Sequence, residues 1–255
     1  MIDRRIVSPR FIGRMAGAPL RLAQPGDKVI KAAPGAGSES ESLAPIHIEL
    51  ADAVADAIRA GERPVAIVGD CCQAIPLMAG LARNGVHPSI VWLDSHGDFN
   101  TWETTPSGFL GGMPLAMLTG RGDQGMMEAV GLDPISDQRV LLSDGRDLDP
   151  EERELVKASR IRHMEGVIGV PYVLPDGPLY LHIDADIIDS RLAPAFLYAV
   201  KGGPSPEGLR SVIEGVLASG RVVAISVTAS WDAAKDEDRV TETAVRRAVQ
   251  PLLAG

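Results

Sequence analysis

The sequence predicts an α/β protein, a three-layer α/β/α sandwich built on a mainly parallel sheet. Two observations carry that expectation. Apolar runs of strand length recur with helically spaced segments between them. Three of those runs also stop abruptly at acidic or small polar residues, as strands do at the carboxyl edge where an α/β sheet meets its ligand. In chain order, Ile46, Leu50, Ala53, Val54, Ala57 and Ile58 fall on one helical face, and Gly61 stands where that helix would end. Residues 65–68 read as a strand ending at Gly69-Asp70, residues 89–93 as one ending at Asp94, and residues 179–183 as one ending at Asp184. Residues 139–142 and 222–227 are two further strands. Leu209, Val212, Ile213, Val216 and Leu217 repeat the helical spacing after Ser205-Pro206-Glu207, where Ser205 suits the cap and Pro206 the first turn. A last helix is predicted over residues 242–253. The low-complexity stretch 33–43 reads as a flexible loop, with no internal repeat and no domain boundary.

With 255 residues the chain is long enough for one large core, and we read residues 1–255 as a single domain. Apolar residues at 45% and charged residues at 23% exclude wholesale disorder. The formal net charge of −9 would repel a phosphate backbone, and an aromatic content of 4% supplies few stacking platforms, so nucleic acid is excluded as a partner. No apolar run approaches the roughly 20 residues that span a bilayer. The start, Met1-Ile2-Asp3-Arg4-Arg5, leads into no signal-peptide core, so the expectation is a cytoplasmic protein without membrane contact. Its only cysteines, Cys71 and Cys72, are adjacent; a bridge between neighbours would be strained, which leaves a thiol with a local task.

The chemistry is concentrated at the strand ends. In Asp94-Ser95-His96-Gly97-Asp98, positions two apart in extended chain lie on one face about 6.5 Å apart, so Asp94, His96 and Asp98 can surround one small volume. Asp184-Ala185-Asp186 repeats the alternation, and Asp70-Cys71 ends a third strand. Taken singly, each aspartate could be a cap or turn former. Taken jointly, the alternation is unexplained by capping. Carboxylates crowded into one pocket cannot all ionise unless cations are present. Carboxylates with one imidazole suit Mn²⁺ or a similar ion, and two such ions sharing carboxylates can generate a hydroxide at neutral pH.

These segments resemble the ureohydrolases, the family that includes arginase, agmatinase and formimidoylglutamase. Asp94-Ser95-His96-Gly97-Asp98 is similar to the family's Asp-Ala-His-x-Asp, and His182-Ile183-Asp184-Ala185-Asp186 to its Ser-x-Asp-x-Asp. Gly69-Asp70-Cys71 stands where the family has Gly-Asp-His. Asn100-Thr101, Ser107-Gly108 and residues 146–152 fit as well. Gly97-Asp98-Phe99-Asn100-Thr101, Glu103-Thr104-Thr105 and Leu110-Gly111-Gly112-Met113 look most like the branch that hydrolyses Nω-hydroxy-arginine, which also places Cys at the first ligand position.

The resemblance implies an arginase-like fold, two divalent metal ions (most often Mn²⁺), and an amidinohydrolase. Its reaction would be cleavage of a linear C–N bond in a small guanidino or hydroxyguanidino compound by a metal-bridging hydroxide, and its members often form homo-oligomers. It further implies that Asp94 and Asp184 bridge the metals, that Cys71 and Asp98 complete one site, and that His96 and Asp186 complete the other. Asp98 would be catalytic through its hydrogen bond with the hydroxide. Asn100, Ser107 and Asp149 would hold the substrate's amino-acid end.

Three positions depart from the pattern. Cys71 puts a softer, anionic donor in place of a neutral nitrogen. Gly111 stands where family arginases carry a His thought to shuttle protons, a role for which general acid help is worth roughly 10²–10⁴ in rate. Thr228 stands where the family has a Glu that pairs with guanidinium, so either Asp232 or Glu103 compensates or the substrate is less positively charged. Among the other histidines, His47, His87 and His163 read as surface or core. His182, two residues before Asp184, could support the ligands from behind. Two alternatives stay open: an amide or amine deacylase using the same metals, and a non-catalytic metal-binding homologue.

Overall fold

A computed structural model describes residues 2–253, so Met1, Ala254 and Gly255, the outer ends of the expected 1–255 domain, lie outside it. Five strands coincide with the apolar runs: β5 (Arg63–Val68), β6 (Ser89–Asp94), β7 (Val140–Asp144), β9 (Leu179–Asp184) and β10 (Val222–Thr228). The sequence reading did not mark β1 (Asp3–Ser8), β4 (Lys28–Val29), β8 (Arg162–Met164) or the two-stranded hairpin β2 (Arg10–Phe11) with β3 (Arg14–Met15). The main sheet has eight strands in the order β4-β1-β5-β10-β9-β6-β7-β8, all paired in parallel. The fold is therefore the α/β sandwich the sequence predicts.

Burial explains which strands were legible. β6 and β9 are buried along their whole length because helices cover both faces, so they read as continuous apolar runs. β1 lies near one end of the sheet, and its first half, Asp3-Arg4-Arg5, is only partly buried. One core lies between the sheet and helices Ala44–Arg59 and Ala74–Ala82, around residues such as Leu50, Leu77 and Trp92. The other lies beneath helices Pro206–Leu217 and Val240–Ala248, around Leu181, Ile213 and Val245.

Helix Ala44–Arg59 ends at Ala60, with Gly61 left-handed just beyond (φ +74°). Ser205 caps helix Pro206–Leu217 by accepting from the Gly208 N–H. Two expectations are modified. Within the stretch read as a loop, Ser38 and Glu41 form a capping box that starts a helical turn, Glu39–Ser42. The C-terminal helix is two pieces, Val240–Ala248 and Gln250–Leu253, because Pro251 has no N–H with which to continue the first and suits the start of a second. No helix among the described residues is long and apolar enough to cross a membrane.

Parallel register aligns the strand ends. Thr228 pairs with both Val68 and Asp184, and Asp94 with Asp144, so β5, β10, β9, β6 and β7 finish level and their following residues meet on one rim. In the first turn of helix Val240–Ala248, the Glu242 carboxylate is 1% exposed and accepts from Arg239, Arg246 and Arg21. Their guanidiniums, Arg239 foremost, hold its pKa down to about 2. Stability from this cluster is thus fully present above the ordinary Glu value and is lost as pH falls toward about 2. Because the guanidiniums are partly in water, we expect roughly 1–2 kcal/mol. Glu242→Gln should lower the unfolding free energy at pH 6 by that amount and approach wild type near pH 2, as measured by urea titration at each pH.

Candidate metal centre and its cavity

Three strand ends and the turns behind them build the centre. β6 delivers Asp94, β9 delivers Asp184, and the single turn after β5 delivers Cys71. Asp94 Oδ1 accepts from the His96 N–H at 2.8 Å, and Asp184 Oδ1 accepts from the Asp186 N–H at 2.9 Å. Each aspartate therefore does cap its own turn, and that bond turns the next alternate residue, His96 or Asp186, back toward the same volume. Capping and ligand convergence are one geometry here. Asp98 sits in the left-handed region (φ +50°), held by its carbonyl accepting from Leu115 and Ala116.

The side chains meet closely. The Cys71 thiol donates to Asp184 Oδ2 at 3.0 Å and lies 3.4 Å from Thr228 Oγ1. His96 Nδ1 is 3.3 Å from Asp94, 3.5 Å from Asp186 and 3.1 Å from the Ser95 hydroxyl, which itself donates to Asp186 at 2.9 Å. Asp94, Asp98, Asp184 and Asp186 are all 5% exposed or less. Burial, then the charge of Asp94, raises Asp98 well above the carboxylate range and Asp184 to about 7. Burial and Asp184 raise Asp186 well above that range too. Burial and the surrounding aspartates likewise raise the Cys71 thiol. For His96, burial opposes protonation, but Asp94, Asp186 and Asp98 together outweigh it and push the ring to about 11. Among the described residues lining the cluster's cavity, His96 is the one side chain that can carry positive charge.

Such a set fits divalent cations. Asp98 Oδ2 is buried with no hydrogen-bond partner. Ligand atoms of Asp94, His96 and Asp186 lie within 4.8 Å of one another, as do those of Cys71, Asp94 and His182. Oxygen, nitrogen and sulfur donors around two adjacent volumes that share Asp94 suit a pair of transition-metal ions.

A cavity of about 480 Å³ opens above the cluster. Its floor includes Cys71, Asp98, Asp184 and Thr228; Asn100, Ser107, Asp149 and Glu152 line its sides. Asn100 Nδ2 donates to Asp149 Oδ2 at 2.9 Å. Glu152, whose motif was noted but which was given no role, accepts from the Phe99 and Asp149 N–H groups, and burial raises its pKa to about 7. Its signal was the acidic residue three positions after Asp149 at a helix start.

Of the alternatives the sequence offered at Thr228, the two acidic replacements lie outside the cavity, which leaves the less positively charged substrate. Glu103 is exposed, its carboxylate accepting from Thr101 Oγ1 at 2.6 Å outside the cavity, because the loop after Asn100 turns outward. Asp232 also lies outside, paired with Lys235 at 3.2 Å. Neither stands in for an anionic group at Thr228.

The mouth is aromatic, which sequence reasoning missed. Phe11, Phe109 and Tyr198 come from distant segments; the ring centroids of Phe109 and Tyr198 are 4.8 Å apart and those of Phe11 and Phe109 6.0 Å. The hairpin carrying Phe11 crosses Gly69 so closely that a Cβ there would lie 2.0 Å from the Arg10 carbonyl oxygen. Asp70 Oδ2 fastens the same hairpin by accepting from the Ile12 N–H at 2.8 Å. A Cβ at Gly111 would meet the Phe109 ring at 2.4 Å. The space beside Gly111 is thus filled by an aromatic ring.

A parallel sheet whose carboxyl edge gathers buried aspartates, an imidazole and a thiol under one cavity defines a metallohydrolase-like α/β protein. Comparison with known proteins specifies the family. The Arginase family model matches residues 19–254. An N(omega)-hydroxy-L-arginine amidinohydrolase of Streptomyces lavendulae is 31% identical over 199 residues, 76% of this chain and 70% of that protein. An arginase of Brucella melitensis is 30% identical over 235 residues, 85% of this chain and 74% of that one. The arginase of Bacillus caldovelox superposes with a TM-score of 0.85 at 23% identity, covering 100% of this chain and 98% of that chain, and so shares the fold. The chain belongs to the arginase family, whose members are metal-dependent hydrolases acting on guanidino C–N bonds, and the motif resemblance is borne out.

Metal linkage follows from the charge cluster. Adding Mn²⁺ at about 100 times its Kd to chelator-stripped protein should stabilise the fold by about 2.7 kcal/mol for each site filled, seen as a rise in Tm. Asp98→Ala should reduce the rise. An unchanged Tm at saturating cation would contradict the assignment.

Proposed function

We propose that this chain is an amidinohydrolase acting on a hydroxyguanidino or related weakly basic guanidino compound through a two-cation centre. The observation that carries the reading is the convergence of four buried aspartates with His96 and Cys71 beneath a cavity of substrate size. Asp94 and Asp184 would be shared between the cations, with Cys71 and Asp98 completing one site and His96 and Asp186 the other. When bound, two divalent ions, Mn²⁺ by this reading, supply hydroxide at neutral pH and polarise the substrate carbon.

The remaining steps belong to the chain's own residues. Asp98 Oδ2, buried and unpartnered, holds the proton of the attacking group. Asn100, Ser107 and Asp149 orient the end of the substrate remote from the reacting carbon. Thr228 offers a neutral hydroxyl where a full guanidinium would need an acid, and a hydroxyguanidine is the less basic partner. Phe11, Phe109 and Tyr198 shield the cavity from water.

Metal-replete protein supplied with Nω-hydroxy-arginine should release hydroxyurea with a higher kcat/KM than it releases urea from arginine. Asp98→Ala should lower kcat by about 10²–10⁴. Release of a carboxylic acid from acylated amines, with no urea-type product, would transfer the site to amide hydrolysis. Tight binding without product from either class would make it a binding protein.

A further inference from the structure

The floor of the centre holds one more donor than the proposed two-cation arrangement uses. His182 lies on β9 two residues before Asp184 and therefore on the same face of the strand. It pairs across the sheet with Trp92 of β6, and the two rings stack with centroids 3.6 Å apart at 20°. That stack fixes the plane of the imidazole.

Its two nitrogens are treated differently. Nδ1 lies 2.8 Å from Ser226 Oγ, which in turn lies 2.6 Å from the Tyr180 hydroxyl. Nε2 has no partner, although the residue is fully buried. Leaving a buried ring nitrogen unpaired is costly, and Nδ1 held by an outer hydrogen bond with Nε2 free is the arrangement of a ligating histidine. Ligand atoms of His182, Cys71 and Asp94 lie within 4.8 Å of one another.

We propose that His182 is itself a metal ligand, closing with Cys71 and Asp94 a deep position of nitrogen, sulfur and oxygen donors that takes a thiophilic divalent cation of the zinc or cobalt class. The inference rests on the metal reading above and changes its chemistry. A thiolate and an imidazole on one ion favour a softer cation than an all-carboxylate set would. The outer position, with His96 and Asp186 beside the shared Asp94 and Asp184, keeps the harder donors. The two positions then differ in cation preference. A merely structural role, Trp92 packing on His182, would give no such asymmetry.

X-ray absorption on the full wild-type chain loaded with one equivalent of Zn²⁺ tests this without relying on any variant. One sulfur and one imidazole in the same coordination shell are expected; sulfur without imidazole, or no sulfur, would overturn the proposal. With Co²⁺, wild type should show a thiolate-to-cobalt charge-transfer band that Cys71→Ser abolishes. His182→Asn should weaken the first equivalent by at least about tenfold, whereas His96→Asn should leave it in place. Unchanged Co²⁺ affinity and spectrum in His182→Asn, with wild-type circular dichroism, would also overturn it. Hydroxyurea release is scored separately: turnover by a protein whose zinc lacks imidazole removes this inference alone, and the expected shell without turnover removes only the proposed activity.

Discussion

Repulsion among carboxylates buried at one edge of a parallel sheet governs this structure. Asp94, Asp98, Asp184 and Asp186 are almost wholly removed from water and face one another. Without compensation their charges cannot coexist; burial first, and then the charge of a neighbouring aspartate, raises Asp98, Asp184 and Asp186. The imidazolium of His96 and the hydrogen-bonding thiol of Cys71 relieve part of it. Divalent cations would relieve the rest, which is why a fold can tolerate so unfavourable a cluster at the point where its strands end.

The sheet supplies the geometry. Because β5, β10, β9 and β6 run parallel and in register, residues far apart in sequence arrive at the same level. The Asx-type bonds from Asp94 and Asp184 then fold the following residues back over the sheet edge. Precision at the site thus comes from backbone regularity beneath it, while selectivity comes from the loops and the N-terminal hairpin that close above it.

Much of this was legible in the sequence, for identifiable reasons. Strands buried on both faces leave long apolar runs, and alternation after them places ligands on one side, so Asp94, His96, Asp98, Asp184, Asp186 and Cys71 could be named and do converge. β1 was missed because three of its six residues are charged and only partly buried. Glu103 was misplaced because proximity in a loop sequence does not fix which way the loop turns. The aromatic mouth was invisible because Phe11, Phe109 and Tyr198 share no segment, and the dependence of Gly111 on the Phe109 ring exists only after the loop has folded. His182 was read as a support behind the ligands; its stack on Trp92 and its unpartnered nitrogen required coordinates.

The central claim is that the aspartate cluster exists to hold a pair of cations. Equilibrium dialysis against divalent metal followed by elemental analysis tests it most directly. The account predicts two tightly held cations per chain, falling when the shared carboxylate is removed in Asp184→Asn. A chain that retains no cation at neutral pH, or that keeps both after that substitution, would contradict it.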